Sequence, residues 1–157
     1  MTDHLFTAKE IAETAEKRVE HQFNENAVRL TKNLSQRTGL QRLGVHLVRL
    51  APGHDSTTHH YHAADEEFLY IISGHGTAKI GTEHYELGPG DFMGFPSSSP
   101  AHSMHNSSNE DLLYLMGGEK QPVDVVYYPD QQKTMIKTNG ERSWTDNPNL
   151  SDLPKRD

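Results

Sequence analysis

Hydrophobic and polar residues alternate with a period of two in the middle of the chain. Leu43, Val45 and Leu47 occupy alternate positions, and Pro52-Gly53 then breaks the run, as expected for a strand followed by a turn. Further strand-like runs follow, separated by glycine- and proline-rich turns: His59–His62, Glu67–Ile72, Thr77–Ile80, His84–Leu87, Asp91–Phe95, Leu112–Met116 and Val123–Tyr128. Many short strands without intervening helices predict an all-β antiparallel sandwich or barrel.

The two ends of the chain are more polar. Thr7 and Glu10 have the spacing of a capping box, and Ile11, Ala15 and Val19 follow at helical spacing, which predicts a short surface helix or frayed arm. One helical turn is expected between residues 34 and 39, ended by a glycine. Beyond residue 139 the chain is rich in Asn, Asp, Ser and Pro, which favours a mobile tail or a strap over the surface.

These patterns divide the chain into three parts. We expect an N-terminal arm with a short helix over residues 1–40, a β-barrel over residues 41–130 and a polar C-terminal extension over residues 131–157. The short edges of a small barrel sheet often pair with a second copy, so we also expect a homodimer.

Charge and hydropathy exclude several partner classes. The chain has 15 Lys and Arg against 22 Asp and Glu, a formal net charge of -7. Nucleic acids and anionic membranes both require a concentrated positive field, so we expect neither as a partner. No apolar run has transmembrane length, and the first residues lack the features of a signal peptide. We therefore expect a soluble, cytoplasmic protein.

Histidine and cysteine content restricts the chemistry further. The chain has 11 His and 0 Cys. Disulfides, cysteine-ligated zinc or iron–sulfur sites and cysteine nucleophiles are therefore excluded. Any metal site must use nitrogen and oxygen ligands.

The densest group of histidines lies in the predicted strand His59–His62. On a strand, His60 and His62 share a face and stand about 6.5–7 Å apart along it, so both can reach one ion. His59 points the other way together with Tyr61, which makes it a weaker alternative ligand. Glu67 begins the next apolar run, and its neighbour Glu66 is the alternative carboxylate.

The spacing around these residues forms a first motif. Gly53 is followed after six residues by His60-x-His62, after four more by Glu67, and after six more by Gly74. The six-residue distance to the glycine favours Glu67 over its neighbour.

A second motif lies farther along the chain. Gly90 is followed after five residues by Pro96-x-Ser98, after three more by His102, and after three more by Asn106. Together the two motifs resemble those of the cupin superfamily, and they cover about residues 43–116. The first gap is one residue longer than usual, a serine replaces a glycine in the second motif, and one extra residue precedes its histidine.

The wider sequence resembles small single-domain bacterial cupins without an assigned activity, of the conserved-barrel type called cupin-2. The segments that carry this likeness are Gly44–Arg49, Gly90–Pro96 and Tyr128–Asp130. The resemblance implies a jelly-roll barrel in which His60, His62, Glu67 and His102 hold one divalent metal ion. Such a donor set suits Fe, Mn, Ni, Co, Cu or Zn, and leaves positions open for water, substrate or dioxygen.

Several other residues are candidates for the surroundings of this site. Leu69 and Ile71 share the parity of Glu67, and Met104 that of His102, so we expect these three to line the pocket. Tyr70, Phe92, Phe95, Tyr114 and His46 line it or flank it, with core packing the favoured role for the aromatics. His54 is a weak candidate for a catalytic acid or base at the rim. Five histidines are expected at the surface or as satisfied polar residues: His4, His21, His75, His84 and His105.

An apolar pocket with a metal ion suits a small organic substrate with oxygen donors. The leading hypothesis is a metalloenzyme, either a dioxygenase or a metal-assisted isomerase, lyase or decarboxylase. A thiol dioxygenase with a Cys–Tyr crosslink is excluded because there is no cysteine. The alternatives are a non-catalytic module that binds a sugar or an organic acid, and a structural homo-oligomer stabilised by metal.

Overall fold

The computed structural model describes residues 4–147, which form an antiparallel all-β fold with two short helices. The helices are α1 (Ala8–Glu13) and α2 (Leu34–Thr38), and a short 3₁₀ helix spans Pro129–Gln131. The strands are β1 (Lys17–His21), β2 (Asn24–Asn33), β3 (Leu43–Leu50), β4 (Tyr61–His62), β5 (Glu67–Ser73), β6 (Gly76–Ile80), β7 (Glu83–Leu87), β8 (Phe92–Phe95), β9 (His102–His105), β10 (Leu112–Glu119), β11 (Val123–Tyr128), β12 (Lys133–Thr138) and β13 (Glu141–Asp146).

The strands form three sheets. The largest has the order β1-β2-β3-β10-β5-β8, and two smaller sheets have the orders β13-β12-β11-β4 and β7-β6-β9. Strand β10 pairs along its length with β3 and with β5, so it lies at the centre of the largest sheet. The predicted antiparallel β architecture is confirmed. Neither helix within residues 4–147 is long and apolar enough to cross a membrane.

Inward-facing residues of these strands form the main core. Alternation places Val48, Leu50, Ile71 and Tyr114 on the inner faces, where all four are fully buried. The other buried members of this cluster are Leu69, Ala78, Leu87, Met93, Phe95, Met104 and Leu112. A smaller cluster of Val126, Tyr128 and Met135 lies under the C-terminal strands, with Trp144 packed against it.

The N-terminal arm contains the predicted helix and two strands that we did not predict. The capping box of α1 is present: the Thr7 N–H donates to a Glu10 carboxylate oxygen at 2.9 Å, and the Glu10 N–H donates to the Thr7 hydroxyl at 3.3 Å. The helix ends at Glu13, so the helical spacing that extended to Val19 was misleading. Val19 lies in β1 and pairs with Arg29 of β2, since pairing with a sheet outweighs local spacing.

The beginning of β2 is tied to the barrel through polar contacts. Asp55 accepts hydrogen bonds at 3.1 Å from the side-chain amides of Asn24 and Asn26, and its other oxygen lies 2.8 Å from His105 Nδ1. His105 is therefore half-buried and paired, whereas His84 is exposed as expected. The predicted turn of α2 is also present, and it ends at Gly39 with φ 77°.

Within the predicted C-terminal extension, residues 133–146 form a hairpin. Strands β12 and β13 extend the sheet of β11, and the turn between them is Asn139-Gly140, with φ values of 49° and 88°. An Asn-Gly pair with both φ values positive is the preferred turn of a two-residue hairpin. The ring of Trp144 packs against Tyr128 at 5.3 Å and against Phe23 at 4.5 Å between centroids. The rest of the predicted tail, residues 148–157, lies outside the described residues.

Gly74 offers a test of how tightly the turn after β5 packs. It has φ 82°, and a Cβ atom there would overlap the carbonyl oxygen of Asp111. Gly53 has a similar φ of 77°, but a Cβ atom at that position would have nothing within 4 Å. We expect Gly53→Ala to lower the free energy of unfolding by about 1–2 kcal/mol, the cost of left-handed backbone alone.

We expect Gly74→Ala to cost about 1–3 kcal/mol more, because the added methyl group meets backbone that cannot move aside. Urea unfolding of the two variants and the wild type measures the difference. Equal losses in the two variants would show that the turn relaxes around the methyl group.

Candidate metal centre

An antiparallel bridge brings the two histidine segments together. The His60 N–H donates to the His102 carbonyl at 3.1 Å, and the His102 N–H donates to the His60 carbonyl at 2.8 Å. His62 follows on β4, with the same parity as His60. Glu67 begins β5, which pairs with the centre of the largest sheet. Four predicted residues from two separate segments of the chain therefore meet inside the barrel. We call His60, His62, Glu67 and His102 the histidine–glutamate cluster.

The three imidazoles of this cluster converge on one carboxylate oxygen. Glu67 Oε2 lies 3.2 Å from His102 Nε2, 3.4 Å from His62 Nε2 and 3.6 Å from His60 Nε2. The ligand atoms of His60, His62 and Glu67 all lie within 4.8 Å of one another, and His102 adjoins this group through Glu67. Three nitrogen donors and one oxygen donor around one point are a set that divalent transition metals accept.

The opposite ring nitrogens of two histidines face acceptors. His60 Nδ1 lies 2.9 Å from the carbonyl oxygen of Thr58, and His62 Nδ1 lies 2.6 Å from a carboxylate oxygen of Asp124. A proton on each Nδ1 leaves the lone pair of Nε2 free for a metal ion. The ring of His102 instead stacks on Phe95, with centroids 3.6 Å apart and an interplanar angle of 4°.

Asp124 belongs to a buried polar network that the sequence did not reveal. Its second oxygen accepts from the Ala64 N–H at 2.9 Å, and Lys137 Nζ lies 3.8 Å from the oxygen that faces His62. Lys137 also forms an ion pair with Asp65. His62, Asp65 and Asp124 come close enough together to form a second candidate metal site, but the lysine ammonium already supplies a cation there. The sequence signal was a lone aspartate at the inward parity of Val126 in β11.

Burial and hydrogen bonding act in opposite directions on the carboxyl of Glu67. Burial by itself would raise its pKa, but hydrogen bonds with His102 and His60 and the charges of His62 and His60 hold the pKa well below its usual range. Burial lowers the pKa of His102, against the opposing effect of Glu67. An ionised carboxylate beside a neutral imidazole is the protonation state that binds metal ions.

The histidine–glutamate cluster lines a cavity of about 520 Å³, a volume typical of sites for small organic ligands. Of the predicted lining residues, Leu69 and Met104 face the cavity. Ile71 does not, because it is fully buried in the core behind it. Other residues that line the cavity are Val19, Glu20, His21, Gln22, Ala27, Arg29, Ser56, Thr57, Met93, Phe95, Ser103, Tyr114, Met116, Tyr128, Met135, Arg142 and Trp144.

Other candidates lie away from the cavity. His54 does not line it, and its Nδ1 lies 3.1 Å from the carbonyl of Asn26. The alternative ligand His59 faces Ser103 at 3.3 Å, and the alternative Glu66 is exposed. His46 is half-buried without lining the cavity.

Two of the four aromatic candidates line the cavity and two do not. Phe95 and Tyr114 line the cavity, whereas the side chains of Tyr70 and Phe92 are exposed. Strand alternation explains the difference, because Tyr70 and Phe92 are paired on the outer face of β5 and β8.

His21 was expected at the surface or as a satisfied polar residue, and it lies half-buried in the cavity wall. Its Nδ1 accepts from the Phe23 N–H at 3.3 Å and lies 2.9 Å from the Thr58 hydroxyl. Burial lowers its pKa to about 4, and the charges of His60 and Arg29 act in the same direction. Nothing in the sequence indicated this position, because β1 was not predicted and no local signal distinguished a strand of the cavity wall from a polar arm.

Comparisons with solved structures agree with this architecture. The crystal structure of a candidate sugar phosphate isomerase from Acidithiobacillus ferrooxidans has a TM-score of 0.93 and 38% identity, over 96% of this chain and 97% of that chain. A sugar phosphate isomerase of the cupin superfamily from Silicibacter pomeroyi has a TM-score of 0.77 and 26% identity, over 86% and 87% of the two chains.

A third structure shares the fold alone. It is a predicted oxalate decarboxylase from Thermotoga maritima, with a TM-score of 0.60 and 20% identity over 71% of this chain and 96% of that chain. A search among curated proteins finds no match. The family model for the cupin domain, Cupin_2, matches residues 46–118, which contain all four members of the histidine–glutamate cluster. With this match and the 38% identity over nearly the whole chain, the protein belongs to the cupin superfamily.

Proposed function

We propose that this cupin is a divalent-metal-dependent enzyme that isomerises a small substrate with oxygen donors, with sugar phosphates as the first class to test. The observation that carries the proposal is the convergence of three histidine Nε2 atoms on one oxygen of Glu67 within a cavity. Two relatives above 25% identity that are described as sugar phosphate isomerases support the choice of reaction.

In this proposal His60, His62, Glu67 and His102 hold the metal ion. The hydrogen bonds from Nδ1 of His60 and His62 fix the orientation of two of these ligands. When bound, the ion supplies Lewis acidity to a substrate oxygen. Iron, manganese, nickel, cobalt, copper and zinc all suit three imidazoles and one carboxylate, so the metal content must be measured.

Isomerisation of a sugar requires a group that moves a proton between neighbouring carbon atoms. We assign this role to His21, because it is the histidine of the cavity wall that lies outside the proposed ligand set. Its Nδ1 accepts from the Phe23 amide, so the neutral ring carries its proton on Nε2. That nitrogen would first give its proton to a substrate oxygen and only then be free to take a proton back. His54 is not suited to the role, since it does not line the cavity.

Apolar and aromatic side chains restrict water around the reacting groups. Leu69, Met93, Phe95 and Met104 contribute the buried part of the wall, and Trp144 packs against the smaller core cluster beside it. A dry wall strengthens the electrostatic interactions of the charged groups inside. A dioxygenase reaction is the alternative if the native ion is redox-active and oxygen is consumed.

The first prediction concerns metal content. We expect His60→Ala and His102→Ala to lower metal affinity by more than about 100-fold, because each removes a direct ligand. Loss of a residue that only hydrogen-bonds a ligand costs about 10–100-fold. Elemental analysis of protein purified without a histidine tag measures the effect. His59→Ala is the matched control and should keep its metal, since His59 faces Ser103. Unchanged metal in both ligand variants would refute the assignment.

The second prediction concerns the partner of His62. Asp124→Asn replaces the carboxylate that lies 2.6 Å from His62 Nδ1. We expect metal affinity to fall by about 10–100-fold while the metal site remains, because a misoriented ligand weakens coordination without abolishing it. Competition with a chromophoric chelator measures the affinity, and Asp130→Asn, at the exposed ion pair with Lys79, is the control. Equal affinities for the two variants would contradict the role of Asp124.

The third prediction separates chemistry from metal binding. We expect His21→Gln to reduce turnover by about 10²–10⁴-fold with unchanged metal content, because it removes the proposed proton-transfer group. Solvent deuterium incorporation beside the carbonyl carbon of aldose and ketose phosphates, followed by proton NMR, measures the reaction. His54→Gln should retain wild-type exchange. Loss of exchange in both variants, or in neither, would contradict the assignment to His21.

The same assay tests the reaction class. We expect chelator-treated protein to lose exchange and to regain it when the native ion is restored. Tight binding of sugars with no exchange in any metal-loaded sample would favour a binding module over an enzyme.

A further inference from the structure

We propose that Arg29 and Tyr114 form the binding site for the phosphate group of the substrate. The inference deepens the proposed function, since it names the part of a substrate that the histidine–glutamate cluster does not hold. It rests on two buried hydrogen-bond donors in the cavity wall that have no acceptor.

Strand alternation places Arg29 inside the barrel. It lies on β2 between Ala27 and Thr31, two positions away from each, and both of these neighbours are buried. Residues two apart on a strand share a face, so the side chain of Arg29 leaves the strand toward the interior. Ala27 and Arg29 accordingly both line the cavity.

The guanidinium of Arg29 is only partly satisfied. One terminal nitrogen donates to the Ser56 carbonyl at 2.9 Å, while Nε is buried and has no hydrogen-bond partner. Among residues 4–147, no carboxylate forms an ion pair with it. The two carboxylates in the cavity wall are engaged elsewhere: Glu20 pairs with Arg18 at 2.5 Å, and Glu67 is surrounded by imidazoles.

Arg29 is half-buried with its Nε fully buried, and a cation partly removed from water without a counter-charge is unfavourable in a folded protein. Arg29 therefore differs from Arg49, which binds both Glu16 and Asp111. A ligand that brings negative charge into the cavity would supply the missing partner. The overall charge of -7 gives no general attraction for anions, so such a ligand needs a local site.

Tyr114 supplies a second unsatisfied donor. Its side chain is fully buried at the centre of the largest sheet and lines the cavity, and its hydroxyl oxygen has no hydrogen-bond partner. Burial raises the pKa of this hydroxyl to about 12, and the nearby charge of Arg29 opposes that rise. The hydroxyl is therefore protonated at neutral pH and can donate to an anion.

The chemistry of these donors favours phosphate. A guanidinium presents a planar fork of N–H groups that matches two oxygens of a phosphate, and a hydroxyl can donate to a third. Arg142 also lines the cavity, and within the described part of the chain it forms no ion pair. If Arg29 holds the phosphate group of a sugar phosphate, the oxygens of its sugar part remain free to bind the metal ion.

The test measures binding of inorganic phosphate to the full chain by isothermal titration calorimetry. Metal is first removed with a chelator, so that phosphate cannot bind to an ion. We expect Arg29→Gln to raise the Kd for phosphate at least about tenfold, because it removes a charged hydrogen-bond donor. Arg42→Gln is the matched control: Arg42 is exposed and does not line the cavity, so its loss should leave the Kd unchanged.

Two further variants keep the test decisive if Arg29→Gln does not fold. Arg29→Lys retains the charge and loses the fork, and we expect an intermediate Kd. Tyr114→Phe removes only a hydroxyl that has no partner in the protein, so we expect it to fold and to raise the Kd by about 3–10-fold. Circular dichroism checks that each variant is folded.

Three outcomes would overturn the inference. They are no phosphate binding by the wild type at millimolar concentration, equal Kd values for the Arg29 and Arg42 variants, and displacement of phosphate by an equal concentration of acetate. The last would assign the site to carboxylates instead of phosphate.

Metal content of the same variants separates this inference from the proposed function. Arg29→Gln should keep the native ion, since Arg29 is not among the proposed ligands. Phosphate binding that depends on Arg29, in a wild-type protein that takes up no metal, would support the anion site and refute the metalloenzyme. Metal-dependent exchange in the wild type, together with an unaltered Kd for phosphate in Arg29→Gln, would support the metalloenzyme and refute the anion site.

Discussion

The antiparallel bridge between His60 and His102 holds the candidate site together. Its two backbone hydrogen bonds, of 3.1 and 2.8 Å, join segments that are separated by more than a complete hairpin of the barrel. Once this bridge forms, strand parity turns His60 and His62 toward the carboxylate of Glu67. The ligand geometry therefore depends on backbone pairing, and side-chain rotamers only complete it. A substitution that breaks the bridge would separate the imidazoles even if every ligand were still present.

Buried polar groups in and around this cavity fall into two kinds. Asp124 and Asp65 are satisfied within the protein by His62, by backbone amides and by Lys137. Arg29 Nε, His102 Nδ1 and the Tyr114 hydroxyl are not satisfied. Buried polar groups without a partner are rare in native proteins, so each one requires a physical explanation. The first kind fixes the shape of the site, and the second includes the donors on which the proposed phosphate site is based.

The sequence predicted the centre of the molecule better than its ends. Strand parity places His60 and His62 on one face without any knowledge of distant contacts, and the resemblance to cupin motifs added Glu67 and His102. Wall residues such as His21 and Arg29 could not be found in this way, since β1 and β2 are polar strands whose inner face is visible only after they pair. The hairpin turn did carry a local signal, because Asn139-Gly140 is a preferred pair for a two-residue turn. The polar composition of the surrounding segment favoured a tail instead.

The C-terminal hairpin has a consequence for how this protein is compared with its relatives. The segment matched by the cupin family ends at residue 118, yet Tyr128, Met135, Arg142 and Trp144 all belong to the cavity wall. Selection can therefore alter ligand preference by changing the terminal segments while the metal-binding spacing stays the same. Two cupins with indistinguishable motifs can differ in substrate for this reason, and grouping them by the barrel alone would merge distinct activities.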